Sequence, residues 1–522
     1  MRVVCRWILL VGLSVAVGCA PGGVAPGENR EPSQEEVARD SGSRNAAGVV
    51  AEDYWEAVFF QNSQVGHIHT RRERIEEDGR ALWRTVSETR IELLRFGDKS
   101  SQESTYESVE QQDGRLVRFA TESAHGASPV RSAGAVANGK LTITTTIGDR
   151  KSASELNWPA DGGGFDAVNK SLLRDPLQPG ERRTLKSLVP GLDQPTPATV
   201  ELVASDWESV SIDGEPRQLL RVDARHQLPG DVTMHVAAWV SDRGEIIKTE
   251  PAPGMYTVRS TAEAAQHLSQ RAAQADIGRD QFVRLAAPAG DLHRALRAKY
   301  RVQLKEGSPA RTFPAQRSQQ VEATDDPHAA MLTVTPLRPE SMTVDRDPTP
   351  DNAFRASNPL VQSDDPRVKE LAAQAVAGAA DDAARAAAIE RFAHEFIEEV
   401  SFSQAFATAT DVLASRRGDC TEHAVLVASL ARAVGLPARV AVGLVYTQSN
   451  GQAGFAYHMW NELYVDGQWI AYDATLGLGG IGGGHIKLSD SHLAEGTALA
   501  SFLPVVQVMG RLRIEVVAVD AP

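Results

Sequence analysis

Tight-turn dipeptides recur through the first half of the chain and constrain its fold more than any other feature. Runs between them alternate polar and apolar residues, as in residues 83–91, which is the pattern of a strand with one buried face. The sequence therefore predicts one antiparallel sheet, curved or closed, over residues 51–260. The dipeptides that favour β-hairpin turns here are Asp78-Gly79, Asp113-Gly114, Asn138-Gly139 and Asp213-Gly214.

The length of the chain predicts further domains after this sheet. With 522 residues, it is too long for one hydrophobic core, so about two or three domains are expected. Residues 261–355 are interpreted as an intermediate region: a short helix near residues 261–274, a second β-rich stretch, and a linker rich in proline and aspartate.

The pattern changes from about residue 356 to the end of the chain. Asp365-Pro366 is a typical helix start, with an N-cap aspartate and a proline at the first helical position. A later helix is predicted to begin at Cys420, and strands are predicted over residues 438–446, 455–465 and 468–472. Helices followed by an antiparallel sheet indicate an α+β domain over residues 356–522, preceded by the β-rich region.

Cys420 is the residue of this last region that most strongly indicates chemistry. Asp419 before it is a predicted N-cap, and Glu422 completes a capping box. The start of a helix presents unpaired N–H groups and the positive end of the helix dipole, both of which favour a thiolate. A single thiol followed by a distant histidine and carboxylate, His458 and Asp473, is the outline of a thiol nucleophile.

Strand register predicts that His458 and Asp473 meet. Asp466-Gly467 is interpreted as a two-residue hairpin loop. Trp460 then lies opposite Asp473, and His458 and Asp473 project as diagonal neighbours from one face of the sheet. The aspartate would orient the imidazole, as in a Ser-His-Asp arrangement. The helix that begins at Cys420 would have to pack against that same face.

In combination, the motifs around these residues resemble the transglutaminase-like core of papain-related enzymes. The resemblance covers about a third of the chain, from about Asp364 onward, and departs from the family only at Ala474, where proline is usual. It implies Cys420 as nucleophile, His458 as base and Asp473 as orienting carboxylate, with a thioester intermediate and no cofactor. The matching segments are residues 417–424 (RGDCTEHA), 433–439 (AVGLPAR), 458–462 (HMWNE), 467–469 (GQW) and 473–475 (DAT).

Other interpretations of the same residues remain open. Cys420 is alternatively an inert buried thiol, or a zinc ligand together with His423, His458 and His485. His67 and His69 alternate on one strand, but two histidines without a third ligand are more typical of a surface, so no metal site is predicted. Gly477–Gly484 is interpreted as a flexible loop beside the site, either a lid or a plain surface loop.

The first fifty residues predict export. Arginines at positions 2 and 6 precede an apolar stretch over residues 7–17, which is too short for a membrane-spanning helix. Residues 16–19 (AVGC) resemble the lipobox of bacterial lipoproteins, which implies a signal peptide over residues 1–19 and lipid on Cys19. An ordinary secretory signal is the alternative. Residues 20–50 are interpreted as a disordered tether, holding an exported protein to a bacterial membrane on its periplasmic or cell-surface side.

The net charge of the chain limits the kinds of molecule that it is expected to bind. A formal net charge of −14 argues against nucleic acid, since phosphate binding requires a basic face. The expected partner is a protein or peptide substrate, whose carboxamide or peptide bond would be attacked, with hydrolysis favoured over amine transfer. The alternative is a binding or scaffolding lipoprotein whose triad is vestigial.

Overall fold

The computed structural model describes residues 49–521 with short gaps. Antiparallel strands dominate, since 51% of the described residues are strand and 18% are helix. The predicted signal peptide, Cys19 and nearly all of the predicted tether lie outside the described residues. The gaps within the described range are residues 125–127, 192–193, 230–231, 253, 268–274, 339–345, 405, 450 and 495–497.

The N-terminal sheet has fourteen strands in the described residues and consists of two antiparallel meanders. The first meander has eight strands and the second has six, and they join where Val49–Phe60 pairs with Met255–Ser260. A helix, Ala167–Arg174, lies between the two meanders in sequence. The strands are Val49–Phe60, Ser63–Glu77, Arg80–Arg95, Asp98–Glu110, Leu116–Ala124, Val130–Ala137, Lys140–Ile147, Arg150–Asn157, Arg182–Val189, Thr196–Ile212, Glu215–Leu228, Val232–Val240, Ile246–Ala252 and Met255–Ser260.

The predicted hairpin turns set the register of this sheet. At Asp78, Asn138 and Asp213, both the residue itself and the glycine after it have positive φ, which is the geometry of a two-residue type I′ turn. Asp113-Gly114 instead lies in a longer connection, between a strand that ends at Glu110 and one that begins at Leu116.

A loop that follows the first meander connects it to the second. The backbone N–H of Leu116 donates to the carbonyl of Gly162 (2.9 Å), and that of Gly163 donates to Lys186 (3.1 Å). Residues 162–163 therefore connect the first meander to the edge strand of the second. These contacts link the two meanders at a second place, in addition to the pairing of Val49–Phe60 with Met255–Ser260.

The middle part of the chain forms a four-stranded sheet. Its order is Gln319–Ala323, Ala329–Val334, Arg297–Leu304 and Leu512–Asp520. The last strand of the chain thus completes a sheet of the intermediate region, across the predicted boundary at residue 356. The domain limits drawn from the sequence stay predictions. Short helices in this part are Ala262–Gln266, Ile277–Asp280 and Pro309–Thr312.

The C-terminal part places helices against a five-stranded sheet. The predicted helix after Asp365 is present, and the Asp365 side chain accepts the N–H of Arg367 at 2.9 Å. The sheet contains Val283–Arg284, Gln452–Val465, Ala438–Ser449, His485–Ser491 and Gln468–Tyr472. The helices are Pro366–Ala375, Asp382–Phe396, Ala409–Ser415, Cys420–Ala433 and Ala498–Val508, with a 3₁₀ turn at Asn352–Phe354 and a short parallel pair, Glu399–Val400 with Arg417–Gly418.

None of the described helices combines the length and apolarity needed to cross a membrane.

Candidate active site

The helix Cys420–Ala433 begins with the cysteine and is capped as predicted. The Asp419 side chain accepts the N–H of Thr421 at 2.8 Å, and the Glu422 side chain accepts the N–H of Asp419 at 2.9 Å. This reciprocal capping box fixes the first turn. Cys420 is 1% exposed and forms no disulfide in the described part of the chain. A buried helix start therefore holds the thiol rigidly beside the helix N–H groups.

The hairpin that carries His458 and Asp473 has the predicted register. Asp466 and Gly467 both have positive φ, and Val465 pairs with Gln468. This pairing, continued along the strands, sets Trp460 opposite Asp473. The Nε2 atom of His458 lies 2.8 Å from Oδ2 of Asp473. The structure thus brings these two side chains together, and both are fully buried.

A second imidazole, His485, shares the same carboxylate oxygen. Its Nε2 lies 3.0 Å from Oδ2 of Asp473, and Oδ1 of Asp473 accepts the N–H of Thr475 at 3.0 Å. The ring of His485 also packs edge-on against Trp460, with centroids 5.2 Å apart. From the sequence, His485 enters only the alternative zinc site. No spacing rule links it to Asp473, because the strand His485–Ser491 pairs with a different neighbour.

The three side chains of this cluster, His458, Asp473 and His485, differ in their protonation. Burial alone would raise the pKa of the Asp473 carboxyl, but the charge and hydrogen bonds of His458 and His485 hold it well below its usual value. Burial lowers the pKa of His485, against the opposing influence of Asp473. At neutral pH, Asp473 is therefore ionised and His485 is a neutral N–H donor, which leaves His458 as the imidazole whose protonation the carboxylate can stabilise.

The zinc alternative grouped Cys420, His423, His458 and His485. In the described residues, the ligand atoms of His458, Asp473 and His485 all lie within 4.8 Å of one another. His423 instead places Nδ1 2.7 Å from the carbonyl oxygen of Asp419, within its own helix. Hydrogen bonds from two imidazoles and one backbone N–H already satisfy the Asp473 carboxylate, so no ion is needed to explain its burial.

The helix does not lie where the sequence analysis required it. The side-chain amide of Asn461 donates to the carbonyl of Ala424 at 2.9 Å. Alternate residues of a strand point to opposite faces, so Asn461 and the body of the helix lie on the face opposite His458. The expectation that the helix packs on the His458 face is therefore wrong.

The first turn of the helix nevertheless lies near the histidine–aspartate pair. Burial lowers the pKa of His423, while its hydrogen bond to Asp419 and the charge of Asp473 oppose that shift. The charge of Asp473 reaches the first turn, which carries Cys420.

Two other residues of the matching segments have structural roles on the His458 face. Nε of Arg439 lies 2.6 Å from Oε2 of Glu462, and Nζ of Lys487 lies 2.7 Å from the same oxygen. The backbone N–H of Lys487 donates to Gln319 at 2.9 Å. Two cations on one buried carboxylate compensate its charge. This network joins the sheet to the middle part of the chain.

The glycine-rich loop Gly477–Gly484 is less open than predicted. Residues 477–479 are exposed, but residues 481–484 are buried. Tyr300 donates its hydroxyl to the carbonyl of Gly483 at 2.6 Å. A Cβ at Gly482 would lie only 2.0 Å from the carbonyl oxygen of His293, so this close packing requires glycine. The surface-loop interpretation is wrong for residues 481–484, because the middle part of the chain covers them.

Glu390 is a buried acid at this loop that the sequence analysis missed. It lies on the helix Asp382–Phe396, and its Oε1 accepts the N–H of Gly480 at 3.2 Å. Four residues later, Nδ1 of His394 lies 2.9 Å from the carbonyl oxygen of Ala474. One helical face therefore holds the segment that follows Asp473. The only sequence signal was a glutamate among apolar residues at core spacing.

Glu390 should make stability depend on pH. Burial raises its pKa from 4.5 to about 7, although backbone hydrogen bonds oppose the shift. A raised folded-state pKa contributes stability below about pH 4.5 that is lost as the pH rises to about 7. We expect Glu390→Gln to gain stability relative to wild type across this window, by up to roughly 3 kcal/mol above pH 7. Chemical denaturation at several pH values measures the difference; the exposed Glu395→Gln on the same helix should show no such trend. A constant difference across the window would contradict the assignment.

A comparison with protein families identifies the part of the chain that carries these residues. Residues 369–474 match the family model of the transglutaminase-like superfamily, and this segment includes Cys420, His458 and Asp473. That part of the chain is a transglutaminase-like domain, which confirms the resemblance and the predicted fold class. No curated protein matches the chain.

Solved structures show weaker likenesses. A provisionally assigned cysteine protease from Cytophaga hutchinsonii is 18% identical over 43% of this chain and 91% of its own, with a TM-score of 0.28. A β-barrel-like protein from Brucella abortus, of a domain family of unknown function, is 11% identical over 41% of this chain and 98% of its own, with a TM-score of 0.29. At TM-scores this low, neither likeness supports an argument about activity.

Proposed function

We propose that this protein is a thiol enzyme that attacks a carboxamide or peptide bond. The observation that carries the proposal is the buried His458–Asp473 hydrogen bond of 2.8 Å, in the same domain as the capped helix start that bears Cys420. A buried aspartate that orients an imidazole is the arrangement that activates a nucleophile in hydrolases. A transglutaminase-like domain with this pair supports thiol chemistry more directly than a binding role.

The residues divide the reaction as follows. Nε2 of His458 donates to Asp473, so Nδ1 is the nitrogen that takes the proton from the Cys420 thiol. The thiolate attacks the carbonyl carbon, and N–H groups at the helix start would stabilise the oxyanion. Collapse of the tetrahedral intermediate breaks the C–N bond, and the leaving amine takes the proton from His458. The product is a thioester on Cys420 and a free amine or ammonia.

Water is the proposed acceptor of the acyl group that the thioester carries. Amine transfer requires a site that holds water away from the acyl group. The groups around the pair are polar instead: Thr475 and His485 both bond to the Asp473 carboxylate, and Glu390 bonds to Gly480 of the adjoining loop. Hydrolysis therefore fits this site better than cross-linking.

The experiment offers a glutamine-containing peptide together with a labelled primary amine. We expect free acid and ammonia to exceed amine incorporation, and acid quenching should trap an acyl group on Cys420 that mass spectrometry can locate. Amine incorporation in excess of hydrolysis would make the chain a cross-linking enzyme. Absence of an acyl group across a peptide library would favour the vestigial, binding interpretation.

Export and anchoring belong to the same proposal. Cys19 ends an apolar segment that begins with arginines, so lipid on this cysteine would hold the enzyme at a membrane through residues 20–50. We expect Cys19→Ser to move the protein from the membrane to the soluble fraction, because a single lipid-modified residue supplies the attachment. Cys5→Ser, in the same segment, is the matched control and should stay membrane-bound. A Cys19→Ser protein that still sediments with membranes would refute the anchor.

A further inference from the structure

The turn between the strands Arg80–Arg95 and Asp98–Glu110 enters the C-terminal part of the molecule. Phe96 and Gly97 form the turn with φ of 51° and 98°, and positive φ is uncommon for a bulky residue. The ring of Phe96 packs on Phe402, with centroids 5.0 Å apart. Its backbone N–H donates to Asp276 at 2.9 Å. Contacts outside the N-terminal sheet thus hold this turn in a conformation that a phenylalanine rarely adopts.

Arg95, the residue before this turn, reaches the cap of the cysteine's helix. It is 0% exposed, and its Nη2 lies 2.6 Å from Oδ2 of Asp419. Nη1 donates to the carbonyl of Phe402 at 3.0 Å and also to that of Gln404. On the other side of the turn, Asp98 accepts the N–H of Phe402 at 2.9 Å. An arginine of the N-terminal sheet is therefore built into the segment that leads to Cys420.

The charge of Arg95 matters for the Cys420 thiol because Asp419, the partner of Arg95, directly precedes Cys420 in the chain. Asp419 is 2% exposed, so water screens its carboxylate poorly. An uncompensated carboxylate next to Cys420 would oppose formation of the thiolate. The guanidinium supplies the opposite charge at contact distance. The guanidinium thus offsets the charge of Asp419 beside the nucleophile, and burial together with the charge of Asp419 raises the pKa of Glu422, the second carboxyl of the cap, well above its usual value.

We propose that Arg95 is a positioning residue for Cys420, through which the N-terminal sheet controls ionisation of the thiol. This inference rests on the proposed function, since it assigns Arg95 a part in activating the same nucleophile. It gives the N-terminal sheet a role in the chemistry, in addition to any role in binding.

The experiment measures the pH dependence of Cys420 alkylation by iodoacetamide in the full chain, with the Cys420 peptide followed by mass spectrometry. In Arg95→Met, which keeps the length of the side chain, the midpoint should move up by about one pH unit. Asp419→Asn, which preserves the N-cap, should move it down. The double variant should return to within about 0.3 unit of wild type, because both charges are gone. Arg84 lies in the same strand as Arg95 and forms ion pairs with Glu73 and Glu107 on the two adjacent strands. Arg84→Met removes these pairs and should leave the midpoint of Cys420 alkylation unchanged.

The outcomes separate a charge effect from a structural one. A folded Arg95→Met protein with the wild-type midpoint overturns the proposal, as does a double variant that keeps the full shift of Arg95→Met. If Arg95→Met does not fold, Arg95→Lys and Arg95→Gln decide: a midpoint that lysine keeps and glutamine raises supports the proposal, and the same midpoint in both overturns it. The assay needs no substrate. If these shifts appear while no peptide is ever acylated, the proposed function fails and the role of Arg95 stands.

Discussion

Replacement of Cys420 by alanine is expected to abolish amide turnover while the protein stays folded. Without the thiol no thioester forms, so turnover should fall by roughly 10⁴-fold or more. Cys420 is the first residue of its helix, and Asp419 and Glu422 cap that helix through other atoms. Loss of one small buried side chain should therefore cost only about 1 kcal/mol of unfolding free energy. Turnover and thermal unfolding, measured on the same preparation, test both halves of this expectation.

Ser429 provides the matched control for Cys420. It is buried in the same helix, and its hydroxyl donates to the carbonyl of Val425 at 2.7 Å. Ser429→Ala should lose a similar amount of stability and keep wild-type turnover, because this residue lies more than two turns from the thiol. Near-normal turnover in Cys420→Ala would mean that another group is the nucleophile. An equal loss of turnover in both variants would point to damage of the helix rather than of the chemistry.

Local rules predicted the parts of this molecule that depend on residues near one another in sequence. The Asp-Gly pair at residues 466–467 fixed a two-residue turn, and the turn then fixed which residues of the hairpin lie opposite each other. The same holds for the capping box at Asp419 and Glu422. Each of these features spans fewer than twenty residues, so propensity and alternation suffice to predict it.

Contacts between distant segments were not predictable in this way. Arg95 and Asp419 are 324 positions apart, and a single arginine at a strand end carries no signal of a buried partner. The pairing of Leu512–Asp520 with Arg297–Leu304 is equally invisible to local patterning. The face on which the cysteine's helix packs was misjudged for a related reason. Both faces of the strand Gln452–Val465 are buried, so its sequence does not show which side a helix covers.

His485 and Glu390 were missed because burial of a polar residue is decided by its partners. His485 opens a strand that pairs only with Ala438–Ser449 among the described strands, and its acceptor, Asp473, follows the strand Gln468–Tyr472, which is not its neighbour. Glu390 finds its backbone donors in the glycine-rich loop. A sequence rule that treats polar residues as surface positions excludes both, although buried polar groups with perturbed pKa values concentrate at functional sites.

Replacement of Asp473 by asparagine should lower turnover by roughly 10³- to 10⁴-fold. In the wild-type chain, Oδ2 of Asp473 accepts from both His458 and His485. Asparagine offers one acceptor oxygen and one N–H₂ group. If the N–H₂ group faces His458, the proton moves from Nε2 to Nδ1, which is the nitrogen that must accept from the thiol. If the oxygen faces His458 instead, the imidazolium formed during attack loses its compensating charge. Steady-state turnover of the glutamine peptide measures the loss.

Asp490→Asn is the control that isolates orientation of the imidazole from loss of a buried carboxylate. Asp490 lies in the same sheet and forms ion pairs with Lys487 at 2.8 Å and Arg439 at 3.2 Å. It should cost stability, because two partly buried cations lose a partner, yet leave turnover within about threefold of wild type. Because the thiol remains in Asp473→Asn, Cys420 should still be alkylated at high pH. An Asp473→Asn protein as active as Asp490→Asn would show that the imidazole needs no carboxylate, and the assignment of Asp473 to the site would fall.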